Sequence, residues 1–144
     1  VNDLILSLLF FISQQTGYHI PSDIQPQIFY ASHSYFVDRF CDGVDTAMQP
    51  CEFVGMYING KHQIYIDITN KGNEEKNSLL VHELTHFLQD VNHSHQGWSC
   101  DQAMIRENEA YNAENVYGLA HGVNYNPPPN KDDPAIICDH TIKD

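Results

Sequence analysis

Basic residues are scarce in this 144-residue chain, with seven Lys and Arg against nineteen Asp and Glu and a formal net charge of −12. A nucleic-acid groove or a site for an anionic membrane surface needs clustered positive charge, so neither is expected, and basic or neutral partners are easier to accept. Long apolar runs are missing too. The principal one, Leu4 to Ile12, covers nine residues, against the roughly 20 of a membrane-spanning helix, so no membrane insertion is expected. Nor does it resemble an intact signal peptide: Asp3 precedes it, no basic segment flanks it, no small-x-small site follows, and the sequence starts at Val1. The expectation is a mature or trimmed chain with a buried N-terminal helix, Asp3 to Gln15, closed by Thr16-Gly17. No linker or repeat divides the sequence, and 42% apolar residues can supply one moderate core. A single domain over residues 1–144 is expected, with a core at 1–122 and a Pro-rich tail at 123–144.

Cysteine is sparse and never paired as CxxC, which argues against a zinc ribbon. The four cysteines at 41, 51, 100 and 138 are even in number and widely spaced, as two disulfides would be. Cys41–Cys51 and Cys100–Cys138 are the preferred pairs, the first closing an Asp/Gly/Pro-containing loop and the second pinning the tail. Such bonds point to a secreted or periplasmic protein; four reduced, buried cysteines in a cytosolic protein are the alternative. Asn92-His93-Ser94 fits a glycosylation sequon, a pattern too short to carry weight.

What the chain does have is nine histidines, two of them in His82-Glu83-Leu84-Thr85-His86. On a helix this HExxH spacing sets both imidazoles on one side, one turn apart, where they can share a metal ion. Glu83 beside them can accept a proton from a metal-bound water without being a ligand, the arrangement of a zinc hydrolase. Leu80, Leu84, Phe87, Leu88 and Val91 add a buried stripe at helical spacing. Asn77 or Ser78 is expected to start this helix, and residues 92–97 to end it.

A catalytic zinc usually has three protein ligands and a water. The extended HExxHxxGxxH form is absent, since Gln89 and Asn92 occupy its glycine and third-histidine positions. A second helix, Asp101 to His121, offers Glu107 and Glu109, which face nearly opposite sides. Glu107 shares a face with Ala103, Ala110, Glu114, Tyr117 and His121, and Glu109 with Ile105, Ala113, Val116 and Ala120. Glu107 is favoured and Glu109 stays open, the other being a surface carboxylate paired with Arg106. His93, His95 and Asp101 are weaker candidates.

An HExxH helix followed about twenty residues later by a glutamate resembles the gluzincin peptidases, including thermolysin and the ImmA/IrrE type. Glu107-Asn108-Glu109-Ala110 resembles the ImmA/IrrE pattern, whereas Asn108-Glu109-Ala110 alone is similar to thermolysin's. Thr16-Gly17-Tyr18, Gly55-Met56-Tyr57, the stretch from Ser78 to Gln89 and the block from Cys100 to Tyr111 look like a family of small, uncharacterised exported metallopeptidases. The resemblance spans most of residues 3–122.

The remaining signals suit an α+β, minimal zincin-like core. Gln27 to Ala31 reads as a strand, and Phe53–Ile58 and His62–Ile68 as a hairpin around Asn59-Gly60 in a two-residue type I′ turn. Ile64, Ile66 and Ile68 are expected to face the core, with Gln63, Tyr65 and Asp67 facing away. A polar loop, Thr69 to Lys76, leads to the HExxH helix. The expected order is helix, small and mostly antiparallel sheet, HExxH helix, glutamate helix and irregular tail.

The implied activity is zinc-dependent peptide-bond hydrolysis. Zn²⁺ would be held by His82, His86 and Glu107, Glu83 would act as base and then acid, and a peptide or protein substrate would lie along the hairpin's free edge. Tyr111, Tyr117, His95, Tyr125 and His121 are candidate oxyanion donors, Tyr111 being equally placed to brace a ligand histidine. His121 also fits an ordinary helix end. Two rivals remain: a catalytically silent, metal-stabilised binding or inhibitory module, and a disulfide-stapled extracellular domain without metal.

Overall fold

Asn2 starts the first helix, α1 (Asp3–Thr16), by accepting a hydrogen bond from the Ile5 N–H at 2.9 Å. Gly17 ends it in the left-handed region, its N–H returning to Ser13 O. Ile5, Leu8, Leu9 and Ile12 form the buried stripe. The remaining elements are β1 (Gln27–Ala31), α2 (His33–Phe40), β2 (Gly55–Ile58), β3 (Gln63–Asp67), α3 (Asn73–Val91) and α4 (Cys100–Ala120). The computed structural model describes residues 2–97 and 99–128. The expected tail shows neither helix nor strand over 123–128, and its remainder lies outside the described residues.

The architecture is α+β, with four helices and a three-stranded mixed sheet among the described residues. The strand order is β1-β3-β2; β3 pairs parallel with β1 and antiparallel with β2. The sheet is therefore not mostly antiparallel as expected. A parallel pair needs a crossover connection, and residues 32–54, including α2, provide part of it before the chain returns through β2.

Helix α2 has no counterpart among the expected elements and changes the meaning of the sheet's outer face. Ser32 caps it by accepting from Tyr35 N–H, and Phe36 is fully buried. Tyr35, Phe40 and the Arg39 guanidinium gather on the ring of Tyr65. Tyr65 and Asp67 are thus buried rather than facing solvent, as are Ile64 and Ile66, whereas Ile68 lies past the strand and is exposed. Alternation predicts a one-sided sheet; α2 makes this one two-sided.

The hairpin also departs from a two-residue turn. Residues 59–62 form the loop between β2 and β3, with positive φ at Gly60 and His62 rather than at Asn59. Asp90, near the end of α3, explains this, because it accepts from Tyr57 Oη at 2.5 Å and from Gly60 N–H at 3.2 Å. With its nitrogen turned that way, the Asn59 amide donates to both Asp90 oxygens at 3.0 Å. Helix α3 begins at Asn73, before the expected Asn77 or Ser78. The Glu75 carboxylate accepts from Gly72 N–H, and Glu74 and Glu75 suit the positive end of the helix dipole.

Core residues come from α1, β2, β3, α3 and α4: Leu8, Ile12, Tyr57, Ile64, Leu84, Phe87 and Tyr117 are among them. Cys41 and Cys51 form the expected disulfide across a sequence separation of 10, a closure worth about 2–3 kcal/mol in the chain-entropy account. Cys138, the expected partner of Cys100, lies outside the described residues.

An acid–histidine–acid latch ties the disulfide loop to the sheet. His33 Nδ1 is 2.9 Å from Asp67, and its Nε2 is 2.9 Å from Asp45. Only the imidazolium can donate to both. The hydrogen bonds to Asp67 and Asp45 raise its pKa above the ordinary value. Asp45 is lowered by the Cys51 N–H and by His33; Asp67 is lowered by Thr69 and His33, whose hydrogen bonds outweigh its burial. The His33 contribution is full below its unfolded pKa and is lost as pH rises through the folded one, while that of the aspartates is lost as pH falls through their depressed values. The latch is therefore strongest between roughly pH 4 and 6.5. In urea denaturation, His33→Gln is expected to lose more stability relative to the native chain at about pH 5.5 than at about pH 9; equal losses would contradict the latch.

Candidate metal centre

Helix α3 is buried on two sides. Leu80, Val81, Leu84, Phe87 and Leu88 enter the core, and His82, Glu83 and Gln89 are buried as well. Small residues on α4, Ala103, Ala110, Ala113 and Gly118, are buried and suit close packing with α3. Polar groups trapped between two such helices must find partners or carry a desolvation cost.

Here they converge. His82 Nε2 is 3.3 Å from Glu107 Oε2, and His86 Nε2 is 2.9 Å from Glu107 Oε1. Each of the three residues offers one ligand atom, all within 4.8 Å of one another, and no other group of this kind occurs among the described residues. Of the two candidate glutamates, Glu107 joins the histidines.

The outer nitrogens decide how the rings present themselves. His82 Nδ1 is 2.9 Å from Glu114 Oε1; a carboxylate only accepts, so Nδ1 carries the proton. His86 Nδ1 is 2.9 Å from Gln89 Oε1. Gln89 cannot be turned the other way, because its nitrogen donates to Arg106 O at 3.0 Å and to Glu109 Oε1 at 2.9 Å. Both rings are therefore protonated at Nδ1, which leaves the Nε2 lone pairs for a metal ion. Tyr111 packs edge-on against His82, with ring centroids 4.5 Å apart.

Glu109 has a separate task. It accepts from Tyr18 Oη, which follows α1, and from Gln89, and lies 3.6 Å from His95 Nε2. Arg106 does not pair with it; the guanidinium donates to the carbonyls of His95 and Gly97. His93, His95 and Asp101 stand outside the metal-ligand group. His121 caps α4, donating through Nδ1 to Tyr117 O and stacking on the Tyr117 ring. At the ordinary helical rise it lies about 21 Å along the axis from Glu107. Asn92 bridges Leu88 O and the backbone of His19, so its amide is engaged within the fold rather than offered as an acceptor for sugar.

Charges and hydrogen bonds within the cluster act against the effect of burial. Burial works against the His82 imidazolium, but hydrogen bonds to Glu107 and Glu114 and the charge of Glu83 raise its pKa well above the ordinary value. His86 is raised in the same way, with burial opposing and Glu107 prevailing. Burial likewise opposes ionisation of Glu107, yet the two histidines hold its pKa well below the carboxylate range.

No family model, curated protein or solved structure matches this chain. What the cluster can do follows from its atoms: two imidazole nitrogens and one carboxylate are a donor set suited to zinc, with other borderline divalent metals as competitors.

Glu114 and Gln89 had no assigned role in the sequence reading, although a signal existed for both. Glu114 lies two turns from Glu107 on the same face, and Gln89 lies three residues after His86. Less legible was Asn126, which donates to Glu114 Oε2 at 3.0 Å and is held by paired hydrogen bonds to Asn115. Gln89→Leu and Glu114→Ala are expected to weaken zinc binding about 10- to 100-fold in chelator competition, whereas Glu109→Gln stays within about threefold of the native chain. The reverse ranking would make Glu109 the ligand that matters.

Proposed function

We propose that this protein is a gluzincin-like zinc metallopeptidase, with His82, His86 and Glu107 as metal ligands and Glu83 as general base and acid. The convergence of two Nε2 lone pairs and one carboxylate, beside a buried carboxylate that is no ligand, carries this reading. Zinc in that position would supply a Lewis acid that acidifies water and polarises a carbonyl.

The chain's own groups perform the rest. Glu83 takes the proton of the attacking water and returns it to the leaving nitrogen, so that hydrolysis of an amide needs no further proton donor. Glu114 and Gln89 keep the histidine rings oriented, and Tyr111 limits the motion of His82. A purely structural zinc site would close with a fourth protein ligand and gain nothing from Glu83.

An extended peptide is the substrate class best matched to the sheet. Among the described residues, strand β2 is an edge of the sheet. Val54 O accepts from Asp67 N–H, which places Val54 and Met56 in hydrogen-bonded register with β3. Gly55 and Tyr57 then direct their own N–H and C=O groups outward. A peptide added there would run beside the helix that carries Glu83. The disulfide suits a secreted or periplasmic setting; among the described residues, no helix is long and apolar enough to cross a membrane.

Zinc-loaded protein incubated with an unbiased peptide library is expected to cleave it, and Glu83→Gln is expected to retain zinc while losing at least about 100-fold in rate. Equal cleavage by both proteins would remove Glu83 from the chemistry. Zinc binding without cleavage by the native chain would remove the peptidase reading.

A further inference from the structure

Gly55 sits on the inner face of β2, opposite Ile66 and one pleat from the buried Tyr57. A β-carbon placed on it would lie 2.8 Å from Glu83 Oε2 and 3.2 Å from both Cδ and Cγ. Carbon contacts are comfortable at roughly 3.5–4.0 Å, so even a methyl group does not fit while Glu83 stays where it is. The Glu83 side chain is lodged against bare backbone.

We propose that Gly55 is a positioning residue for Glu83: the missing side chain on the edge strand makes the niche that sets where the carboxylate rests relative to the His82–His86–Glu107 cluster. Its relevance to catalysis rests on the metallopeptidase reading above; the niche itself does not. The strand is the fixed wall. It is tied to β3 through Val54 and Met56, and its far end is anchored by the bonds of Tyr57 and Gly60 to Asp90. Glu83 is the movable partner, since its carboxylate ends a flexible side chain whereas the clashing atom at position 55 is attached to a paired backbone.

A displacement there matters because proton transfer needs heavy atoms within about 2.6–3.2 Å. Misplacement by about 1 Å can cost on the order of 100-fold in rate. The same glycine turns its N–H and C=O away from β3, so one residue would set both the base and the backbone of a peptide added there. A side chain at position 55 is accordingly expected to displace Glu83, although the φ of Gly55 is not in the left-handed region.

The test is Gly55→Ala, compared with the native chain in crystal structures, in zinc titration and in peptide hydrolysis. The expected result is a Glu83 carboxylate displaced by about 1 Å with β2 in place and a kcat about 10- to 100-fold lower, with zinc affinity within about threefold and KM changed less than kcat. An unmoved Glu83, or a displaced Glu83 with undiminished kcat in an active enzyme, overturns the proposal. Should the native chain bind zinc and cleave nothing, the peptidase reading fails and the niche is decided by stability instead. Gly55→Ala is then expected to destabilise the native chain but not a Glu83→Ala background, even if the single variant is too unstable to crystallise. Equal destabilisation in both backgrounds overturns the niche.

Discussion

Burying two imidazoles between packed helices is the constraint on which the site depends. Ring nitrogens that lose water need other partners; α4 supplies both for His82, and α3 and α4 one each for His86. Glu114 and Gln89 take the Nδ1 protons, and Glu107 faces both Nε2 atoms. The same contacts that satisfy buried polarity also fix the tautomers, so packing and metal readiness are one feature. Gln89 shows the coupling most plainly. Its amide faces His86 correctly because Arg106 O and Glu109 hold its nitrogen, and Glu109 in turn is tied to Tyr18 beyond α1.

The sheet contributes from the other side. Strand β3 carries Ile64 and Ile66 into the core, while β2, an edge strand among the described residues, brings Gly55 against Glu83. Asp90 near the end of α3 anchors the hairpin loop, so the helix that holds the histidines also limits the position of the strand beside them. The disulfide loop ends shortly before β2 in the chain, and His33 ties its Asp45 to Asp67 at the end of β3.

Local pattern carried the reading of α1 and β1 close to their observed bounds, because caps, periodicity and flanking turn residues agreed there, and the expected 101–121 helix lies within one residue of α4 at each end. Helix α2 escaped although Phe36, Val37 and Phe40 recur at helical spacing, because eight residues are too short a span for periodicity to tell a helix from a loop. Its absence from the reading made Tyr65 and Asp67 look solvent-facing. Asn59-Gly60 suggested a tight turn, but the pull of Asp90, thirty residues from Gly60, prevailed. The two histidines were legible from their spacing on one helix face, whereas Glu107 was only favoured over Glu109 until the packing of α4 brought it to them. The partners that orient them depend on how α3 and α4 meet, and Gly55 depends on how a strand meets a helix; neither is a local property.

The most direct measurement is the zinc anomalous signal in crystals of the metal-loaded chain. The account predicts one strong peak bonded to His82 Nε2, His86 Nε2 and Glu107, at the roughly 2.0–2.2 Å usual for such ligands, with Glu83 outside bonding distance. A peak elsewhere, no peak at this cluster, or Glu83 closing the shell as a fourth ligand would contradict it.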